Sequence, residues 1–280
     1  MKNLSTKSTI YGVDFSGSKE ACKKIWVCES VPTDKGLLVK DCWNLEKKCE
    51  KKYEEKCGNP CDKPFEILTE FIASNPQAIF GLDFPFGLPE CLLCENNWES
   101  FVKRFHEQYK DPDQFYNDSH SRVEKEPKRL TDTDAKSPMS PIFIHLHKQT
   151  YYGISNVLYS LNFENFASIH PMQPLEESKP WVIEICPSST LKFESLYRSY
   201  KKKGKKATES KNNRKFILQG LVDKKLITDI SPEARESAVG DKEGDALDSI
   251  IAAVATYRAL KNNFSVPDHE VYKLEGHIYV

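Results

Sequence analysis

Three apolar, strand-like segments each carry one carboxylate. Asp14 stands in YGVDFSG (11–17), Asp83 in IFGLDFPFGLP (79–89) and Glu184 in WVIEICP (181–187). An acid inside an apolar run is costly unless it is paired, hydrogen-bonded or bound to a cation. Two further acids, Asp245 and Asp248, share one face at the head of a helix-like segment, KEGDALDSIIAAVATYRALK (242–261). If these five carboxylates converge, they cannot all ionise cheaply without counterions. Mg²⁺ or Mn²⁺ would resolve the repulsion, because hard cations prefer oxygen ligands. Two such ions roughly 4 Å apart activate a water and stabilise the leaving oxygen in phosphodiester cleavage. Asp14, Asp83, Glu184, Asp245 and Asp248 are therefore both the candidate metal ligands and the candidate catalytic acids. Each also has a plain structural reading. Asp14 can bond turn amides of SGS, and Asp83 can simply end a strand. Glu184 can pair with a buried Lys or Arg, and Asp245 and Asp248 can serve the helix dipole.

The elements that must position these acids follow from pattern. Residues 8–15, 24–31 and 37–44 read as strands, and PTDKG between the last two marks a hairpin. Residues 62–74 read as an amphipathic helix with Asp62 as N-cap and Pro64 in the first turn. Residues 78–83 form an apolar strand suited to a sheet centre. Residues 46–58 are rich in Lys and Glu and read as a solvated helix or loop. Further on, 98–109 and 151–161 read as helices, and 124–141 as an exposed polar loop. The strand WVIEIC precedes a helix from about Leu191, and the last helix shows one stripe of Leu247, Ile250, Ile251, Val254 and Tyr257. Three antiparallel strands extended by parallel ones give an α/β fold with a mixed sheet flanked by helices. Strands one and four can then be neighbours, with Asp14 and Asp83 together at the carboxyl ends where ligands collect. The expected organisation is a single domain over 1–280, with a helical and loop insertion at about 90–178.

Bulk composition narrows the classes. The chain has 280 residues, 39% hydrophobic and 29% charged, and a formal net charge of −1. That excludes a disordered chain and a global field drawing in polyanions. No apolar run reaches the roughly 20 residues of a membrane span, and the first ten residues lack a secretory apolar core. A cytoplasmic protein with reduced thiols, and no membrane partner, is expected. Cys57, Cys61, Cys91 and Cys94 could make a four-thiolate zinc site, but the first pair has the wrong spacing for a zinc ribbon. A cysteine-tolerant cytosolic chain is the preferred reading.

Positive charge is local. Residues 198–215 hold nine Lys or Arg against one Glu. Lys201, Lys202, Lys203, Lys205 and Lys206 are candidate phosphate contacts, which would give salt-sensitive nucleic-acid binding. A solvated charged loop is the alternative. Arg129 could clamp a phosphate bidentately or pair with Asp132.

The motifs YGVDFSGS, GLDFPFGLP, EICPSS and GDALDSIIAAVAT, in that order, resemble those of domain-of-unknown-function family 429, predicted nucleases with a ribonuclease-H-like fold. The family's Val/Ile-Asp falls on Asp14, and its Asp-x-Pro-x-Gly-Leu-Pro on Asp83, Pro85, Gly87 and Leu88. Its Glu-x-x-Pro falls on Glu184 and Pro187, its Asp-Ala-x-Asp on Asp245 and Asp248, and its Arg-x-x-Asp on Arg129 and Asp132. Trp26 comes later than the family's Trp, and 42–62 and the lysine run have no counterpart. The resemblance implies a nuclease acting on DNA or RNA with two Mg²⁺ or Mn²⁺ ions. Two other readings stay open: a non-catalytic nucleic-acid- or protein-binding member of the fold, and a phosphate-handling ATPase or sugar-kinase relative. The second would need Gly-rich phosphate loops, and the chain has twelve glycines.

Overall fold

The computed structural model describes residues 7–52, 63–201 and 204–280, with the side chains of 49–52 and 205 outside that description. The described strands are β1 (Thr9–Asp14), β2 (Trp26–Thr33), β3 (Gly36–Asn44), β4 (Ala78–Asp83), β5 (Ser168–His170), β6 (Trp181–Ile185), β7 (Ile227–Ile230) and β8 (Ile278–Tyr279). They make one sheet in the order β5-β6-β4-β1-β2-β3-β7, with β8 also pairing to β6. β1, β2 and β3 form the antiparallel meander. β4 runs parallel to β1 on its other side, and β6 parallel to β4. This is the expected α/β mixed sheet, three antiparallel strands extended by parallel ones and flanked by helices.

Alternation along the strands divides the core into two layers. Ile10, Ile79 and Ile183 pack with Leu247, Ile250, Ile251 and Val254 of the Asp245–Lys261 helix. Tyr11, Val13, Phe80, Leu82 and Val182 pack on the opposite side with Leu68, Phe101, Phe105, Ile154 and Val157. Full burial of each such side chain contributes about 1.5–3 kcal/mol. β1 and β4 are covered on both faces, so they read as continuous apolar runs.

Two glycines let the Asp245–Lys261 helix lie directly on the sheet. Gly12 and Gly81 are paired in register on β1 and β4. A Cβ at Gly12 would stand 2.1 Å from the Ser249 carbonyl oxygen and 2.2 Å from the Ala253 nitrogen. One at Gly81 would stand 1.9 Å from the Thr256 hydroxyl. The helix is buried from Ala246 to Tyr257 rather than along one stripe, because the Pro187–Phe193 and Pro232–Gly240 helices cover its outer side.

Other expectations need correction. The 124–141 segment is not simply an exposed loop: Leu130–Asp134 is a short helix, and Arg129 and Asp132 are buried. The 64–73 helix is preceded by Lys63 at its N-cap, while the expected Asp62 lies outside the described residues. The helix expected from Leu191 begins at Pro187, whose fixed φ suits a first helical position. Much of the basic stretch is ordered, in the helix Ala207–Asp223. The short strands β5, β7 and β8 carry no alternation long enough to register in sequence. No helix among the described residues is long and apolar enough to cross a membrane.

Candidate active site

Asp14 and Asp83 end β1 and β4 and face each other across the parallel pair. They follow Gly12 and Gly81 by two residues, so strand alternation turns both toward the Asp245–Lys261 helix. That helix starts from Gly244, held at φ 84°. A Cβ there would meet Lys201 Cγ at 3.0 Å and the Tyr200 ring at 3.1 Å. The segment carrying Tyr200 and Lys201 therefore lies against the helix start. Its backbone is pinned by Arg214, whose guanidinium donates to the Tyr200 carbonyl at 2.7 Å and to the Val239 carbonyl at 3.0 Å.

Tyr200 donates its hydroxyl to Asp248 Oδ1. The Lys201 ammonium pairs with Asp248 and stands 3.6 Å from Asp245 Oδ1. Asp14, Asp83, Asp248, Lys201, Glu184 and Arg129 all line one cavity of about 330 Å³. Asp245 lines the adjoining hollow instead, which shares Asp14 and Lys201 with the first.

The electrostatics match this crowding. Burial holds the Asp14 carboxyl well above the ordinary range, with repulsion from Asp248, Asp245 and Asp83 adding to it and Lys201 opposing it. Burial does the same to Asp83, reinforced chiefly by Asp248. Asp245 is pushed up to about 6, by burial first and by Asp241 and Asp248 next, against the pull of Lys201. Burial works against the Lys201 charge, but Asp248 and Asp14 outweigh it and hold the ammonium well above lysine's usual range. Among the described residues, four aspartates thus share one ammonium, and the cluster is short of positive charge.

Among the described residues, no three His, Cys, Asp or Glu side chains close around a point as a ready-made metal cage. The donor chemistry nonetheless fits a hard divalent ion: all oxygen, anionic and under-neutralised.

Glu184 sits differently. In register with Leu82 rather than Asp83, it faces away from the Asp245–Lys261 helix. Arg129 donates to both its oxygens, at 2.9 Å and 2.5 Å, and the Phe86 backbone N–H donates at 3.0 Å. The same guanidinium grips both oxygens of Asp132, at 3.0 Å and 2.9 Å, and the Glu275 carbonyl at 3.0 Å. All five Arg129 N–H groups are taken and the residue is 1% exposed, so the expected phosphate clamp gives way to internal pairing. Glu184 realises its plain structural reading, an acid held by a buried arginine.

Of the lysine run, Lys201 reaches the acids and Lys206 is exposed at the start of the Ala207–Asp223 helix. Lys202 and Lys203 lie outside the described residues, as does the Lys205 side chain. Cys57 and Cys61 also lie outside them, while Cys91 and Cys94 are free and exposed. Cys22 is disulfide-bonded, against the expectation of reduced thiols.

Sequence reasoning missed Tyr200, Glu275 and Gln149. Glu275 accepts from the Glu90 and Leu130 backbone N–H groups at 2.6 and 2.8 Å, tying the segment before β8 to the starts of the Glu90–Leu92 turn and the Leu130–Asp134 helix. Gln149 lines both hollows and donates to the Phe15 carbonyl. None of the three stands in a local pattern that separates it from ordinary surface residues.

No protein-family model and no curated protein matches the chain. Among solved structures it is similar to the yeast mitochondrial Holliday junction resolvase Ydc2. The two are 12% identical with a TM-score of 0.41, over 94% of this chain and 87% of that one.

Proposed function

We propose that this chain is a divalent-metal-dependent nuclease that hydrolyses phosphodiester bonds in DNA or RNA. The observation that carries this reading is the under-neutralised aspartate cluster at the carboxyl ends of β1 and β4. Asp14, Asp83 and Asp248 would hold Mg²⁺ or Mn²⁺, with Asp245 at the rim. When bound, such ions lower the pKa of water and stabilise the leaving oxygen. Tyr200 orients Asp248 through its hydroxyl. Glu184, which the sequence counted among the ligands, acts here as a positioning residue: with Arg129 it fixes the end of β6 and the Phe86 backbone beside Asp83. Lys206 and its neighbours in the basic run would neutralise substrate phosphates. The ordered motifs that resemble those of family 429 point the same way.

The test is a cleavage screen over single-stranded, duplex and branched DNA and RNA, with Mg²⁺ or Mn²⁺. Cleavage that needs the ion and vanishes in Asp14→Asn is the expected result. Activity that persists in EDTA would remove the metal role. A second reading, a non-catalytic nucleic-acid-binding protein of this fold, draws on the lysine ammonium among the acids, which neutralises part of the cluster without any ion. Binding of the same substrates without cleavage under any divalent ion would favour it.

A further inference from the structure

Resting on the metal-dependent reading, we propose that Lys201 holds a cation position of the site in the metal-free protein, and that a divalent ion enters by displacing it. The Lys201 ammonium pairs with Asp248 and lies 3.6 Å from Asp245. Lys201 also lines both hollows that meet at Asp14. An ammonium and a divalent ion would therefore compete for the same carboxylate oxygens.

The local architecture lets the lysine leave without disturbing its supports. Lys201 enters from the surface, with 46% of its side chain exposed. The residue before it stays anchored: Tyr200 is buried, its carbonyl accepts from Arg214, and its hydroxyl donates to Asp248. Displacement needs only rotation of a long, flexible side chain, which costs little beside the gain of a doubly charged ion among the aspartates. Lys201 thus sets metal affinity rather than supplying chemistry, and its side chain lies on the same segment as the basic run.

The experiment measures Mn²⁺ binding by calorimetry to the wild-type protein, Lys201→Met and Lys201→Arg. It also follows acylation of Lys201 in the wild-type protein by mass spectrometry as Mn²⁺ is added. Lys201→Met should bind Mn²⁺ about tenfold more tightly, a typical coupling between ligands that exclude each other, whereas Lys201→Arg keeps the competing charge. In the wild-type protein Lys201 should gain reactivity as the ion saturates, a readout that survives if the Met variant misfolds. Equal affinity in wild type and Lys201→Met, with unchanged labelling, overturns the displacement and leaves metal binding standing. Absence of Mn²⁺ binding in every form removes the metal reading itself, and the displacement with it.

Discussion

Two acid clusters border one cavity, with Asp245 in the hollow beside it, and they differ in kind. Glu184 and Asp132 surround Arg129, whose five donors are all matched by carboxylate or carbonyl oxygens. Among the described residues, Asp14, Asp83, Asp245 and Asp248 share the Lys201 ammonium, with Tyr200 as a further donor to Asp248. The first cluster is closed and serves the fold. The second is held in mutual repulsion by that fold, which is the condition under which a hard cation binds. A buried acid in this molecule is therefore interpreted by its partners, not by its burial.

The largest effect that sharpens this contrast is expected from Arg129→Met. It leaves two buried carboxylates without their cation, so unfolding stability should fall by about 3–5 kcal/mol in denaturant titration. A loss under 1 kcal/mol would show that the closed cluster is not structural.

The pH response of the open cluster comes next. Asp245 titrates at about 6 in the folded chain against 3.8 ordinarily. The folded state binds the proton more tightly, so this acid's contribution to stability is lost as pH rises from about 4 to about 6. Asp245→Asn should gain on wild type across that window, by on the order of 3 kcal/mol without divalent ions. The comparison must be made between the two proteins. His170 and His277, held neutral by burial down to about 4, push the wild-type curve the opposite way. Saturating Mg²⁺ should shrink the gain, measured by melting at pH 4.5 and 7.

A smaller effect, opposite in sign to the Arg129 change, is expected from Asp14→Asn. Removing one repelling charge should raise metal-free stability by roughly 0.5–2 kcal/mol, the range of charge optimisation, while cleavage is lost. Destabilisation by this variant would mean that Asp14 is paired after all. Smallest of all, Tyr200→Phe should cost about 1 kcal/mol or less, the worth of one hydrogen bond. It should also weaken Mn²⁺ binding modestly, because Asp248 loses the group that orients it.

Much of this was legible in the residues. The meander, the neighbouring of β1 and β4, and the approach of Asp14, Asp83 and Asp248 follow from element order and from acids at element ends. Glu184 was not separable from the others, because its role depends on register: pairing with Leu82 rather than Asp83 puts it on the other face of the sheet. Tyr200, and the pairing of Lys201 with the acids rather than with a phosphate, were hidden for another reason. A lysine run reads as solvated charge, and nothing local says that its first member turns inward. The β7 and β8 pairings are short and set by distant partners, so propensity carries no trace of them.

The glycine pair under the Asp245–Lys261 helix has a consequence for robustness. Gly12 meets that helix at its backbone, and Gly81 meets it at the Thr256 hydroxyl. The spacing between Asp248 and the strand-end Asp14 is therefore set by main chain resting on main chain. Hydrostatic pressure acts first where voids can be squeezed out, and this contact leaves no room for an intervening side chain. The outer layers can accordingly compress or drift in composition while the gap between the acids stays put.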